Sequence, residues 1–175
     1  DNPPDSCGVK VILTDTDHLW GIGGDRKWVW KSFCRGLNVL FMDRYRYIPP
    51  DKEKSLQWVD YIDTKPTKDP DYETVRLNCG STNRYARRMN LAKTTPCSGL
   101  SSTGYCLAER GKTYLAYAPE GGTFTVDLTG FRKTFSVEWF NPDTGETTKG
   151  NTLKGDGIHT VTAPFEGDAV LFLDR

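Results

Sequence analysis

The chain has 175 residues, enough for one medium domain or for a small domain plus part of another. Its 23 Lys and Arg balance 23 Asp and Glu, so nothing in the charge argues for a nucleic-acid or polyanion partner. No apolar run approaches the ~20 residues that span a bilayer, so no membrane contact is expected.

The first residues, Asp1-Asn2-Pro3-Pro4-Asp5, carry neither the basic region nor the apolar region of a signal peptide. They read like the interior of a longer protein, just before a strand. Val9 to Leu13 is a continuous apolar segment, the pattern of a strand covered on both faces in a parallel sheet. It runs into Asp15, Asp17 and His18, with Trp20 beyond, which reads either as a polar turn or as part of a site. Strand alternation sends Asp15 and Asp17 to the same face. Two like charges in one pocket would raise one pKa and suit acid/base work.

After a loop at Gly21–Gly24, Asp25 is placed to N-cap a helix holding Trp28, Val29, Ser32 and Phe33, and Gly36 to close it. Leu37 to Met42 predicts a second buried strand, again ending on a carboxylate, Asp43. Pro49-Pro50-Asp51 leads into a helix from about Glu53 to Ile62, so this part reads β-α-β-α. Thr64 to Asp71 is a polar connector. Tyr72–Cys79 and Thr82–Leu91 predict two short helices broken at Gly80. Arg84, Arg87 and Arg88 on the second would bind a phosphate or form a solvated or interdomain face.

Lys93 to Ser102 is rich in Thr, Ser, Pro and Gly and reads as a linker. Beyond it come seven short β segments between turn signals: Tyr105–Ala108, Thr113–Tyr117, Thr123–Leu128, Phe135–Phe140, Glu146–Thr148, His159–Ala163 and Ala169–Leu173. Their spacing predicts an antiparallel sandwich, with Trp139 in its core and His159 on its surface. Five cysteines without a CxxC pair argue against zinc, and no cofactor or metal is expected. Cys34 falls in the apolar phase of a helix as a small hydrophobe. Cys97 and Cys106 are close enough in sequence to bridge. Aromatic content of 12% fits either core packing or stacking platforms for sugars.

Two parallel strands do not make a stable sheet alone. A (β/α)8 barrel would supply the remainder, and its active-site groups stand at the C-terminal ends of strands, where Asp15, Asp17, His18 and Asp43 fall.

The segment Thr14-Asp15-Thr16-Asp17-His18-Leu19-Trp20-Gly21, with Trp28 to Phe33 and Arg35 to Asn38, resembles the last strands of a glycoside hydrolase-like TIM barrel of the apiosidase-like kind. The words Val137-Glu138-Trp139-Phe140-Asn141-Pro142 and Ala163-Pro164-Phe165, with Tyr105-Cys106-Leu107-Ala108 and Asp168 to Leu171, resemble the family named putative collagen-binding domain of a collagenase. The resemblance implies the C-terminal portion of a barrel over 1–92, a linker over 93–102 and a β-sandwich over 103–175. It implies a secreted or periplasmic carbohydrate-active enzyme, a glycoside hydrolase on plant or complex glycans, or alternatively a non-catalytic glycan- or matrix-binding or scaffold module. The rest of the barrel would come from upstream or from a partner chain.

Such enzymes use two carboxylates. The second would fall in Asp15-Thr16-Asp17-His18, where this chain has Asp in place of the family's usual Glu. Aspartate is shorter by one methylene, a difference in reach of roughly 1.5 Å, which matters because retaining and inverting chemistry need different carboxyl separations. The expected catalytic residues are Asp17 and Asp15; His18, Trp20 and Asp43 are expected to bind substrate. One carboxylate set cannot serve as both acid and nucleophile, so the chain alone is expected to be inactive.

Overall fold

The computed structural model describes residues 2–15, 25–41 and 70–175. Among these, β-strands dominate, with two α-helices. Strand β1 (Leu13–Asp15), helix α1 (Arg26–Cys34) and strand β2 (Asn38–Leu40) form a β-α-β unit in which the two strands pair in parallel, Leu13 with Asn38 and Asp15 with Leu40. The Asp25 carboxylate accepts from the Trp28 backbone N–H at 2.7 Å, the N-cap expected from the sequence. Gly36 closes the helix at φ +72°, and a Cβ there would meet Pro96 Cγ at 2.9 Å. The third expected helix, Glu53 to Ile62, lies outside the described residues.

Helix α2 (Pro70–Ala86) replaces the two short helices predicted around Gly80. Val75, Asn78, Thr82, Tyr85 and, just past its end, Met89 are all buried. Their alternating three- and four-residue steps put one continuous face inward. That packing outweighs the cost of about 1 kcal/mol that a helical glycine carries against alanine.

Strands β3 (Thr95–Pro96), β4 (Cys106–Glu109), β5 (Thr113–Ala118), β7 (Thr134–Phe140), β8 (Thr147–Lys154) and β10 (Ala169–Asp174) build a six-stranded antiparallel sheet in the order β3-β4-β5-β10-β7-β8. Strands β6 (Thr123–Asp127) and β9 (Ile158–Thr162) form a two-stranded sheet against it. All seven segments expected in the sandwich are present. Strand β8 runs well beyond the expected Glu146–Thr148, because Thr147-Thr148-Lys149-Gly150-Asn151-Thr152-Leu153-Lys154 is an exposed edge strand with almost no apolar alternation.

The large sheet is buried on both faces, so Thr113–Ala118 is buried throughout despite its antiparallel pairing. Tyr114, Ala116, Phe135, Val137, Trp139 and Leu171 face the β6–β9 sheet. Leu115, Tyr117, Phe140, Val170 and Phe172 face the other way, into one cluster with Trp30 and Cys34 of α1 and Tyr85 of α2. The helices and the sheet therefore share a core. Trp30 is its centre: it stacks on Tyr117 at 6.2 Å between centroids and meets Tyr85 edge-on at 5.9 Å.

Further expectations need correction. Strand β2, expected to be buried, exposes Asn38 and Leu40. Residues 93–102 do not form a free connector: β3 lies in the sheet, Ser98–Leu100 is a 3-10 turn, and Ser101 bridges to Val126. The run Val9 to Leu13 is not a strand covered on both faces. The strand begins at Leu13, and Val9, Val11 and Leu13 are 80%, 82% and 65% exposed. His159 is half-buried rather than exposed, since it alternates with Val161 toward the sandwich interior.

Candidate functional site

Of the expected site residues, Asp15 is described; Asp17, His18, Trp20 and Asp43 lie outside the described residues. Asp15 ends β1 and pairs in register with Leu40. Side chains of paired residues in a parallel sheet share a face, so Leu13, Asp15, Asn38 and Leu40 stand on one side. All four are exposed. Thr14 and Val39 stand on the other side and are partly buried, Val39 against Trp28, Val29 and Val75. Asp15 thus points away from the helices, at the C-terminal end of a parallel strand, with the exposed apolar groups of Leu13 and Leu40 beside it.

The segment after Asp15 re-enters the described residues at Asp25 and Arg26, and this point is held firmly. The Arg26 guanidinium donates twice to Asp168 Oδ1, at 3.1 and 3.0 Å, and also pairs with Asp143. Tyr117 donates its hydroxyl to Asp168 Oδ2 at 2.9 Å. The Asp168 side chain is only 1% exposed, so its charge is buried and needs these three donors. Burial and the Asp168 charge push the Tyr117 hydroxyl well above the usual phenol range. Lys27 adds an exposed pair with Glu120 at 3.0 Å. Three turns of the sandwich, around Glu120, Asp143 and Asp168, therefore grip the first turn of α1.

A second polar cluster joins α2 to the sheet. Tyr85 donates to Glu138 Oε1 at 2.7 Å, and Arg88 makes a two-pronged contact with the same carboxylate. Burial opposes the charge on Glu138, but the Arg88 and Tyr85 hydrogen bonds outweigh it and hold its pKa below the usual range. Arg88 also lies over the Phe172 ring at 4.3 Å, and Arg84 over Phe140 at 5.1 Å. Two of the three clustered arginines thus serve the contact between helix and sheet, the interdomain alternative read from the sequence. The Glu138 partner was not legible, because nothing in a strand pattern distinguishes an outward Glu from one that receives a helix.

A cleft of about 440 Å³ opens between β2, the helices and β4, lined by Phe33, Leu37, Val39, Cys79, Thr82 and Leu107 among others. Among the described residues that line it there is no carboxylate or histidine, and Cys79 is the titratable side chain there. Among the described residues no group of three or more His, Cys, Asp or Glu is placed to hold a metal ion. Every tryptophan with a described side chain is at most 9% exposed, and the tyrosines and phenylalanines with described side chains, which exclude Tyr72, are buried or half-buried. The aromatic surplus is core packing wherever it is described.

Residues 98–174 match the family described as putative collagen-binding domain of a collagenase. No curated protein matches the sequence. Among solved structures, a protein described as a glycoside hydrolase is similar over 86% of this chain and 36% of its own, at 12% identity and a TM-score of 0.57. A glycoside hydrolase family 5 protein from Bacteroides vulgatus is similar over 86% of this chain and 35% of its own, at 12% identity and a TM-score of 0.60. The chain spans about a third of the length of these two proteins and shares the fold of the part it covers.

Proposed function

We propose that the chain is the C-terminal portion of a secreted glycoside hydrolase acting on plant or complex glycans. In this reading β1 and β2 are late strands of a (β/α)8 barrel, and the β-sandwich braces the barrel wall. The observation that carries it is the position of Asp15, on the helix-averted side of a parallel strand at its C-terminal end. That side faces the interior when helices clothe the outside of a barrel, and the C-terminal end is where such barrels hold their chemistry. Val9, Val11, Leu13 and Leu40 are exposed here; further strands would cover them, as parallel sheets require.

Asp15, with Asp17 as the alternative that strand alternation would send to the same face, is proposed to supply one member of the carboxylate pair that glycoside hydrolysis needs, and the acid/base partner is proposed to belong to an earlier strand. His18, Trp20 and Asp43 are proposed to contact the sugar. The sandwich is read as a brace rather than a glycan-binding platform because its described rings point inward and the helices cover its outer sheet face.

The test is Asp15→Asn and Asp17→Asn in the full-length protein, assayed on plant pectic glycans. Loss of turnover with retained binding supports the reading; unchanged activity refutes it. The 175-residue chain by itself is expected to hydrolyse none of these substrates, and measurable turnover by it would also refute the division of labour. Retardation of the isolated chain in polysaccharide-containing gels would instead support glycan binding by the sandwich.

A further inference from the structure

Strand β3 is a two-residue edge strand at the margin of the large sheet. Its register pairs Thr95 with Ala108 and Pro96 with Leu107, so the next facing pair is Cys97 and Cys106. The Cys97 backbone N–H donates to the Cys106 carbonyl at 2.7 Å, which holds the two residues opposite each other. Their side chains lie on the same side of the sheet. Cys106 belongs to the core between the two sheets, and Cys97 packs against that core. Thr95 Oγ1, two residues before, lies 3.6 Å from Cys97 Sγ on that side, whereas Pro96 turns the other way onto Gly36. Both sulfurs are free thiols in this structure.

We propose that Cys97 and Cys106 are the site of an intramolecular cross-strand disulfide, formed by exchange with a small-molecule disulfide such as oxidised glutathione. The half-buried Cys97 reacts first. Its thiolate attacks one sulfur of the reagent, the reagent's S–S bond breaks, and one glutathione thiol leaves. The Cys106 thiolate then attacks the Cys97 sulfur and expels the second glutathione. Two protein thiols are oxidised and one reagent disulfide is reduced to two thiols.

Cys97 and Cys106 face each other as a hydrogen-bonded pair, which holds its Cβ atoms near the upper end of about 4.5–5.5 Å, and a disulfide needs about 3.5–4.5 Å. Closure therefore requires an approach of about 1–2 Å. An edge strand this short, leading straight into a 3-10 turn, can supply it. Burial raises the Cys106 thiol pKa, so the second step needs local opening of β3 and accelerates with pH. The bridge would fasten the segment that joins α2 to β4, the same segment that touches Gly36 through Pro96 and Asp5 through Ser98.

The test is incubation of the 175-residue chain with oxidised glutathione at mildly alkaline pH, followed by alkylation under denaturing conditions and digestion. Lys93 and Arg110 flank the pair with no Lys or Arg between, so one tryptic peptide carries both cysteines. The expected product is that peptide, unalkylated and lighter by two hydrogens, with chymotryptic fragments that separate only on reduction. Oxidation should raise Tm by about 5–10 °C, from the closure of a short loop in a chain of this size. Cys97→Ser should fold and lose both effects. Accumulation of a glutathione adduct on Cys97 alone, persistence of two alkylatable thiols, or links to Cys7, Cys34 or Cys79 would each overturn the proposal.

Discussion

The most direct consequence of a core shared by helices and sheet is that Trp30 should control the stability of both. Trp30 is fully buried, packs its ring against Tyr85, Tyr117 and Phe140, and donates its indole N–H to Asn78 Oδ1 at 2.7 Å. Replacing a buried tryptophan by alanine costs about 3–5 kcal/mol through lost transfer energy and the cavity left behind. Asn78 also loses the indole donor, and a buried acceptor without a partner costs a further ~1–3 kcal/mol. Taking about 4 kcal/mol as the lower working figure and an m-value of about 2 kcal/mol/M, the urea midpoint should fall by about 2 M. The assay is urea unfolding of Trp30→Ala against the parent chain, followed in parallel by helix circular dichroism and by the NMR resonance of the Trp139 indole N–H, which is resolved from those of Trp20, Trp28 and Trp58. Trp139 lies between the two sheets, on the face of the large sheet away from the helices. A single coupled unit predicts that both signals shift together. A helical transition that moves while the Trp139 transition stays in place would refute the shared core and restore independent domains.

Three further outcomes follow from the geometry. Gly121 has φ +62°, and a Cβ there would run into the Gly167 carbonyl oxygen, which is backbone and cannot rotate away; Gly121→Ala should cost about 2–5 kcal/mol from the left-handed conformation and the clash, read as a lower Tm. Arg26→Ala leaves Asp168 buried with Tyr117 as its remaining side-chain partner, and should destabilise by about 2–4 kcal/mol, below the full cost of orphaning a buried charge because Arg26 keeps partial solvent contact; Asp168→Asn, which removes the charge, should recover part of that loss in the double variant. The folded-state pKa of Glu138 is depressed, so its pairing stabilises the fold above the unfolded value of about 4.3 and is lost as pH falls through the folded one. Wild-type urea midpoints should therefore drop more steeply than those of Glu138→Gln below about pH 4.3, and parallel pH profiles would sink this assignment.

Sequence alone determined the local elements and their kind. Asp25 and Gly36 bracket α1 because capping is a local matter, settled by a side chain within three residues of the groups it satisfies. The sandwich strands are legible from alternation, and Trp139 lies in the core because it shares a face with Val137. The carboxylate at the end of β1 was legible too, since the apolar run stops there. Tertiary structure decided what those elements do to one another. Whether Gly80 breaks a helix depended on the face that Val75, Asn78, Thr82 and Tyr85 present to distant partners. Whether residues 93–102 connect or pair depended on Leu107 and Ala108 offering an edge. The charges that clamp the assembly, Arg26 to Asp168 and Arg88 to Glu138, join residues 142 and 50 positions apart. No local pattern marks such partners, because an ion pair between residues so far apart in sequence depends on the fold that brings its halves together.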